Sequence, residues 1–423
     1  MNSTSLQGEL MLGQHTATSL AQRFGTPLYV YDKELIESRY RQLDAAFTGL
    51  KHRICYAVKA NSNLAVLQLL AHLGAGFDIV SGGELERVLA AGGDPAQVVF
   101  SGVGKSAAEI ERALQLGIHC FNAESSAELQ MIIEIATAMG KPAPISLRVN
   151  PDVDAGTHPY ISTGLRDNKF GIPIEEALAL YRQAAQEPYL RIVGIDCHIG
   201  SQLVTVQPFV DALERVLRLV DQLADIDIHL GHVDVGGGLG VSYRGESVPS
   251  AQDYVEALRP LLAGRSLQVI CEPGRWLVAD AGTLLTRVVR LKDNGDRHFA
   301  VVDAAMNDLL RPSLYQSWME IRACTDAGVA EQIYDIVGPV CETGDYLGKE
   351  RRLRLREGTL LAVMQAGAYG HTMSSNYNTR PRAAELMVDG AHCHLVRQRE
   401  TLSDLMRGES LLPLSTDKEQ ACN

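Results

Sequence analysis

Lys59 stands where packing alone would not place it. It follows the apolar, β-prone run Arg53-Ile54-Cys55-Tyr56-Ala57-Val58 and leads through Ala60-Asn61 into Ser62-Asn63, a helix start. Lysine is rarely buried unless paired. Desolvation lowers its pKa and prepares the amine as a nucleophile, as in Schiff-base lysines. A lysine stem can also snorkel from a strand end, and on this stretch alone that explanation is the better one. Three further stretches shift the balance. Asp234-Val235-Gly236-Gly237-Gly238 has three consecutive glycines, which leave backbone N–H groups uncovered and able to wrap a phosphate. A sharp turn after a strand would use the same glycines. Glu272-Pro273-Gly274-Arg275 offers a carboxylate that can keep a ring nitrogen protonated and an arginine that can clamp a carboxylate or phosphate. His198 could lie flat on a ring. Taken singly, an ion pair and a hydrogen-bonded rim histidine are the better explanations of these last two.

The elements that must position these residues follow a repeating pattern. Strands are expected at 53–58, 76–80, 97–101, 118–121, 144–149, 191–197, 232–235 and 267–271. Helical stretches lie between them at 64–73, 83–91, 107–116, 127–139, 174–185, 208–223 and 251–262. Such alternation implies βαβ units and a parallel sheet. Eight units over roughly 230 residues match a closed (β/α)8 barrel, with a doubly wound open sheet as the runner-up. Lys59, Asp78, the runs 81–84, 101–105 and 198–202, the three glycines and 272–275 all come just after strands. In a barrel they share the C-terminal rim, where such folds carry their chemistry. From about residue 281 the period changes to strands at 283–291, 298–302, 333–337, 352–355, 359–364, 385–388 and 392–396, with few helices between. The expected division is a barrel over 35–280 and a β-domain made of 1–34 and 281–423, completed by an early strand at 27–31.

Composition narrows the partners. The 423 residues carry 39 basic and 51 acidic side chains, a net charge of 39 − 51 = −12. That argues against nucleic acid and anionic membranes, but a local arginine cluster can still receive a small anion. Four of the eight cysteines, Cys55, Cys120, Cys197 and Cys271, fall in apolar strand-like runs where free cysteine acts as a small hydrophobe. No CxxC pair or metal-ligand spacing is present, and no metal is expected. No signal peptide and no membrane span is expected. A reducing cytoplasm fits best.

Together, the lysine, the glycine cradle, the acid after the eighth strand and the imidazole are the parts that pyridoxal phosphate requires. Tyr56-Ala57-Val58-Lys59-Ala60-Asn61, His198-Ile199-Gly200-Ser201-Gln202, the three glycines and Glu272-Pro273-Gly274-Arg275 resemble the fold type III, alanine-racemase-like decarboxylases. Four further motifs narrow the resemblance. They are Thr157-His158-Pro159-Tyr160-Ile161 with Lys169-Phe170-Gly171, Met306-Asn307-Asp308 with Arg311-Pro312 and Tyr315, Cys341-Glu342-Thr343-Gly344-Asp345, and Gly367-Ala368-Tyr369-Gly370. With Ser374-Ser375-Asn376-Tyr377-Asn378 and Arg380-Pro381-Arg382, they resemble the diaminopimelate decarboxylase family from about residue 25 to about residue 405. Ala305 departs from the pattern, where glycine is expected.

The resemblance implies decarboxylation of meso-2,6-diaminopimelate to L-lysine and carbon dioxide, the last step of lysine biosynthesis. It implies that Lys59 bonds the cofactor, His198 stacks on its ring and Glu272 meets its nitrogen, with Asp78 supporting the lysine. Ser201, Gly238, Gly274 and Tyr369 would lie at or near the cofactor's phosphate, and Gly237 and Arg275 would also bind the cofactor. Arg275, Arg311, Tyr315 and Tyr369 would bind substrate. Cys341 as proton donor, and Glu342 toward the distal ammonium, would come from the second subunit of a homodimer with shared sites. Two alternatives stand beside this. A related enzyme could act on a carrier-linked or siderophore precursor, but it would lack the Cys-Glu pair. A silent cofactor-binding homologue would lose Lys59 or Cys341, and both are present.

Overall fold

The structure, a computed structural model, describes residues 8–154 and 168–412. The motif at 157–161 and the polar C-terminal stretch at 415–423 lie outside the described residues. Eight parallel strands of the first sheet form a barrel: β1 His52–Ala57, β2 Gly76–Ile79, β3 Val98–Phe100, β4 Cys120–Ala123, β5 Ala143–Asn150, β6 Leu190–Asp196, β7 His232–Asp234 and β8 Gln268–Cys271. β8 pairs with β1, and β5 pairs directly with β6, so the sheet closes on itself. The closing β5–β6 pair rules out the open doubly wound sheet, which would leave two unpaired edges.

The helices fall where the 3.6-residue pattern places them, and five of the seven starts carry side-chain caps. Asn63 accepts from the Ala65 N–H ahead of the helix Leu64–His72. Ser106 with Glu109, and Ser250 with Asp253, form reciprocal capping boxes. The helix Gln207–Ala224 shows the packing logic most clearly. Phe209, Leu213, Val216, Leu217, Val220 and Leu223 recur at three- and four-residue spacing and are all buried. Within the barrel, the strand period of two separates an outer set, such as Tyr56, Phe77, Phe100 and Phe121 under the helices, from a small cluster of Cys55, Val99, Cys120 and Ile270.

The second sheet is organised on one long strand, Gly282–Asn294, which pairs with Arg297–Val302, Leu360–Val363 and the early strand Leu28–Asp32. That early strand also pairs in parallel with Ala384–Asp389. One expected strand is displaced. The strand expected at 352–355 runs instead over Tyr346–Leu353, because Tyr346 pairs with Val337 as soon as the loop between them closes. Three bonds lock the two sheets together around the Lys59 segment, and a fourth, within the second sheet, orients Glu385. The Tyr369 N–H donates to the Ala60 carbonyl at 2.8 Å and Asn61 Nδ2 to the Gly367 carbonyl at 3.1 Å. Asn63 Nδ2 and Tyr31 Oη both donate to Glu385, at 2.9 and 2.6 Å. Ala305, the departure from the expected glycine, is buried against Gly338, whose missing side chain leaves room for its methyl group. No helix among the described residues is long and apolar enough to cross a membrane.

Candidate active site

β1 ends at Ala57, and a short 3-10 turn, Val58–Ala60, carries Lys59 onto the rim. Ala57 pairs in register with Asp78 on β2, which sets the two side chains beside each other. Lys59 Nζ lies 2.6 Å from Asp78 Oδ2, with Asp78 fully buried. The expectation that burial lowers the Lys59 pKa does not hold here. Burial pulls it down, but Asp78, Glu272 and Tyr369 outweigh burial and hold the amine above its ordinary value. Lys59 is therefore a charged, paired lysine in this arrangement.

Glu272 belongs to a column of buried acids that the strand alternation points inward: Asp78, Asp196, Asp234 and Glu272. Carboxylate oxygens of Asp196, Asp234 and Glu272 lie within 4.8 Å of one another. Burial first, then Asp234, Asp78 and Asp196, hold Glu272 well above the usual carboxylate range, while Lys59 opposes them. Burial likewise pushes Asp234 up to about 7. Arg148 supplies the compensating cation, donating to Glu124 at 2.7 Å and lying 3.8 Å from Asp196. Among the described residues, Glu272 Oε1, Asp234 Oδ2, Asp196 Oδ1 and Asp78 Oδ1 are buried with no hydrogen-bond partner. Sequence reading named Asp78 and Glu272; Asp196, Asp234 and Arg148 emerge only once the barrel shows which strand positions face inward. At the opposite, N-terminal ends of the strands, His119, Cys120 and His232 also come together, a grouping invisible in the sequence spacing. Burial and the neighbouring Arg53 lower both imidazoles, and the same arginine works against a bound cation.

The three glycines behave differently from expectation. The Gly236 N–H is held by Asp234 Oδ1 at 2.9 Å, and the Gly237 N–H donates to His198 Nδ1 at 3.0 Å. Two of the three amides are thus already engaged. They fix the loop and orient the imidazole rather than stand uncovered. The glycines are required by close approach: a Cβ on Gly237 would strike the Glu272 carbonyl, and one on Gly238, at φ +110°, would come within 2.5 Å of the Gly200 carbonyl. The bond from Gly237 needs a lone pair on His198 Nδ1. Burial, then Arg148 and Lys59, lowers that ring well below its ordinary pKa, so it is neutral. Gly274 holds its loop against β1, where a Cβ would sit 3.0 Å from the Ala60 methyl carbon.

Arg275 and Arg311 form the cationic side of the site. Arg275 donates to Tyr243 Oη at 2.9 Å and to Ser201 Oγ at 3.2 Å, and its guanidinium lies 4.8 Å from the Tyr369 ring centre. Arg311 opens the short helix Arg311–Tyr315, lies 4.6 Å from the Tyr243 ring centre and points Nη1 at Met319 Sδ. Tyr315 adds its own favourable influence on Arg275. The two arginines are 7% and 4% exposed, and among the described residues neither has a carboxylate partner. Burial pulls Arg311 below its ordinary pKa; Arg275 pushes the same way while Tyr243 opposes it. Tyr243 was missed in the sequence, where a lone loop tyrosine carries no signal. Tyr369 takes φ +54°, a left-handed conformation rare outside glycine.

Cys341 and Glu342 are not brought into this cluster. Both are exposed on a loop where the Cys341 N–H donates to Asn378 Oδ1 at 2.9 Å and Tyr377 Oη donates to Glu342 at 2.8 Å. Several other motifs are scaffold. Asp345 accepts from the Met306 and Val340 amides, and Arg380 Nε donates to Asn307. Phe170 packs under Arg148, and the Gly171 N–H donates to Glu124.

Comparison with known proteins decides the family. Residues 33–279 match the model of the pyridoxal-dependent decarboxylase pyridoxal-binding domain. A diaminopimelate decarboxylase of Pseudomonas aeruginosa is 61% identical over 394 residues, 93% of this chain and 95% of that one. The chain belongs to the diaminopimelate decarboxylase family. It is a pyridoxal-phosphate-dependent carboxy-lyase with the alanine-racemase-like fold. The Helicobacter pylori diaminopimelate decarboxylase, solved in complex with L-lysine, superposes with a TM-score of 0.90 at 46% identity, covering 92% of this chain and 98% of that one. The M. jannaschii decarboxylase, also solved with L-lysine, gives 0.93 at 36% identity, over 97% and 98%. The site fits the family's cofactor on its own terms. A rim lysine, a buried acid with an orphaned oxygen, a neutral oriented imidazole and a wall of glycines that no Cβ could enter converge on one face.

Proposed function

We propose that this site decarboxylates meso-2,6-diaminopimelate to L-lysine and carbon dioxide, the last step of lysine biosynthesis, with each residue in the following role. Lys59 supplies the amine that holds pyridoxal phosphate, and Asp78 keeps that amine in place. Glu272 meets the ring nitrogen, His198 covers the ring face, and Ser201, Gly237, Gly238, Gly274, Arg275 and Tyr369 surround the phosphate end. When bound, the cofactor supplies the electron sink for the pair left as the carboxylate departs. Arg275 and Arg311, with Tyr315 and Tyr369, receive the substrate's distal carboxylate. We also propose that the protein is a cytoplasmic homodimer, with a barrel domain over 35–280 and a β-domain over 1–34 and 281–423. In it, Cys341 of the partner subunit delivers a proton and Glu342 of the partner subunit meets the distal ammonium.

The observation that carries this reading is the pair of buried guanidinium groups with no carboxylate partner among the described residues. Buried cations are costly unless an anion completes them. A dicarboxylic substrate has one carboxylate to lose and another to occupy this site. Arg311→Ala should therefore lower kcat/KM for diaminopimelate by about 2–5 kcal/mol in transition-state binding. Amino acids lacking the distal carboxylate should be almost unaffected in a carbon dioxide release assay. An equal loss across the whole panel would make Arg311 structural and remove the basis for the substrate assignment.

A further inference from the structure

We infer that Tyr243 is a positioning and specificity-determining residue of this site: one side chain sets the spacing of Arg275 and Arg311, and so the geometry in which a distal carboxylate is received. This rests on the reading of the two arginines given above. Arg275 Nη1 donates to Tyr243 Oη at 2.9 Å, and Arg311 lies over the same ring at 4.6 Å. Tyr243 is buried among them, 9% exposed. Two like charges side by side repel, and both are largely removed from water. An acidic residue between them would cure the repulsion and also cancel the charge that a ligand must meet. A phenol oxygen and a ring face stabilise both cations while leaving their charge intact.

The loop carrying Tyr243 is held from three sides, as a positioning role requires. Gln202 grips Val241 twice, its amide donating to the Val241 carbonyl and its oxygen accepting from the Val241 N–H at 3.2 Å. Glu246 accepts from the Tyr243 and Arg244 amides at 2.9 and 2.6 Å. Gln365, from the second sheet, donates to the Ser242 carbonyl and to Asp280. Gln202 and Gln365 both adopt left-handed backbone, at φ +65° and +57°. Unfavourable conformations of this kind persist where the surroundings over-determine them, and here both serve to fix one loop.

The probes follow from the chemistry. L-lysine keeps the distal carboxylate of the substrate; cadaverine is the same chain without it. In holoenzyme, Tyr243→Phe keeps the ring under Arg311 but leaves an Arg275 N–H without its acceptor. Its dissociation constant for L-lysine, measured by calorimetry, should rise about ten-fold. Cadaverine should change by no more than about two-fold, and KM for diaminopimelate should rise with kcat nearly constant. Tyr243→Leu, which also removes the ring, should weaken L-lysine further while again sparing cadaverine. Unchanged L-lysine binding in Tyr243→Phe would overturn the proposal. So would equal weakening of both ligands, or a loss of thermal stability that accounts for the change, since each would make Tyr243 scaffold. Arg311→Ala in the same assay separates the two levels. If it too fails to distinguish L-lysine from cadaverine, the assignment of the arginines falls; if it does distinguish them and Tyr243→Phe does not, only the role of Tyr243 falls.

Discussion

At the scale of single residues, the pairing of Lys59 with Asp78 is the feature that most changes the picture drawn from sequence. Position alone suggests a desolvated, nucleophilic amine. The structure holds the amine charged, chiefly against Asp78, at 2.6 Å. Lys59→Ala should abolish both turnover and the visible absorbance of cofactor-loaded protein. Retention of that band in the variant would mean that another group bonds the cofactor. Tyr243 marks the limit of legibility at this scale. Lys59, Glu272 and Arg275 announce themselves by standing at strand ends in unusual company. A tyrosine five residues beyond a glycine run looks like any loop aromatic, and its role exists only through the two arginines it touches.

At the scale of elements, the strands and helices were legible because their periods differ. All eight barrel strands and the seven longer helices between them lie within a few residues of expectation, with caps such as Asn63 and Ser106 supplying the starts. What sequence did not disclose is the acid column, because Asp196 and Asp234 become neighbours only when β6 and β7 pair in register. Nor could it show that the Gly236 and Gly237 amides are already engaged. The column has a consequence for stability. Asp234, pushed up to about 7, binds its proton more tightly folded than unfolded. Its contribution is therefore fully present below about pH 4 and is lost as pH rises through about 7, with a slope of up to about 1.4 kcal/mol per pH unit between those limits. Asp234→Asn keeps the oxygen that accepts from Gly236 and removes the titration. In cofactor-free protein, the melting temperature of wild type should fall from pH 5 to pH 8 more steeply than that of Asp234→Asn. Parallel curves would show that Asp234 does not hold its proton in the fold.

At the scale of the whole molecule, the second sheet does two things for the barrel. It clamps the Lys59 segment through Ala60, Asn61 and Asn63, and it presents Cys341 and Glu342 on an exposed loop away from the cluster that contains Lys59. A barrel rim open to water gives poor control over where a proton arrives after decarboxylation, and a neighbour's loop would supply both a cover and a positioned acid. The most direct test of this account mixes inactive Lys59→Ala subunits with inactive Cys341→Ala subunits under conditions where subunits exchange. Half of the dimers would then be mixed, each with one doubly defective site and one intact site, so activity should recover to at most about a quarter of wild type. Demonstrated exchange with no recovered activity would contradict the account, because Lys59 and Cys341 would then serve the same chain.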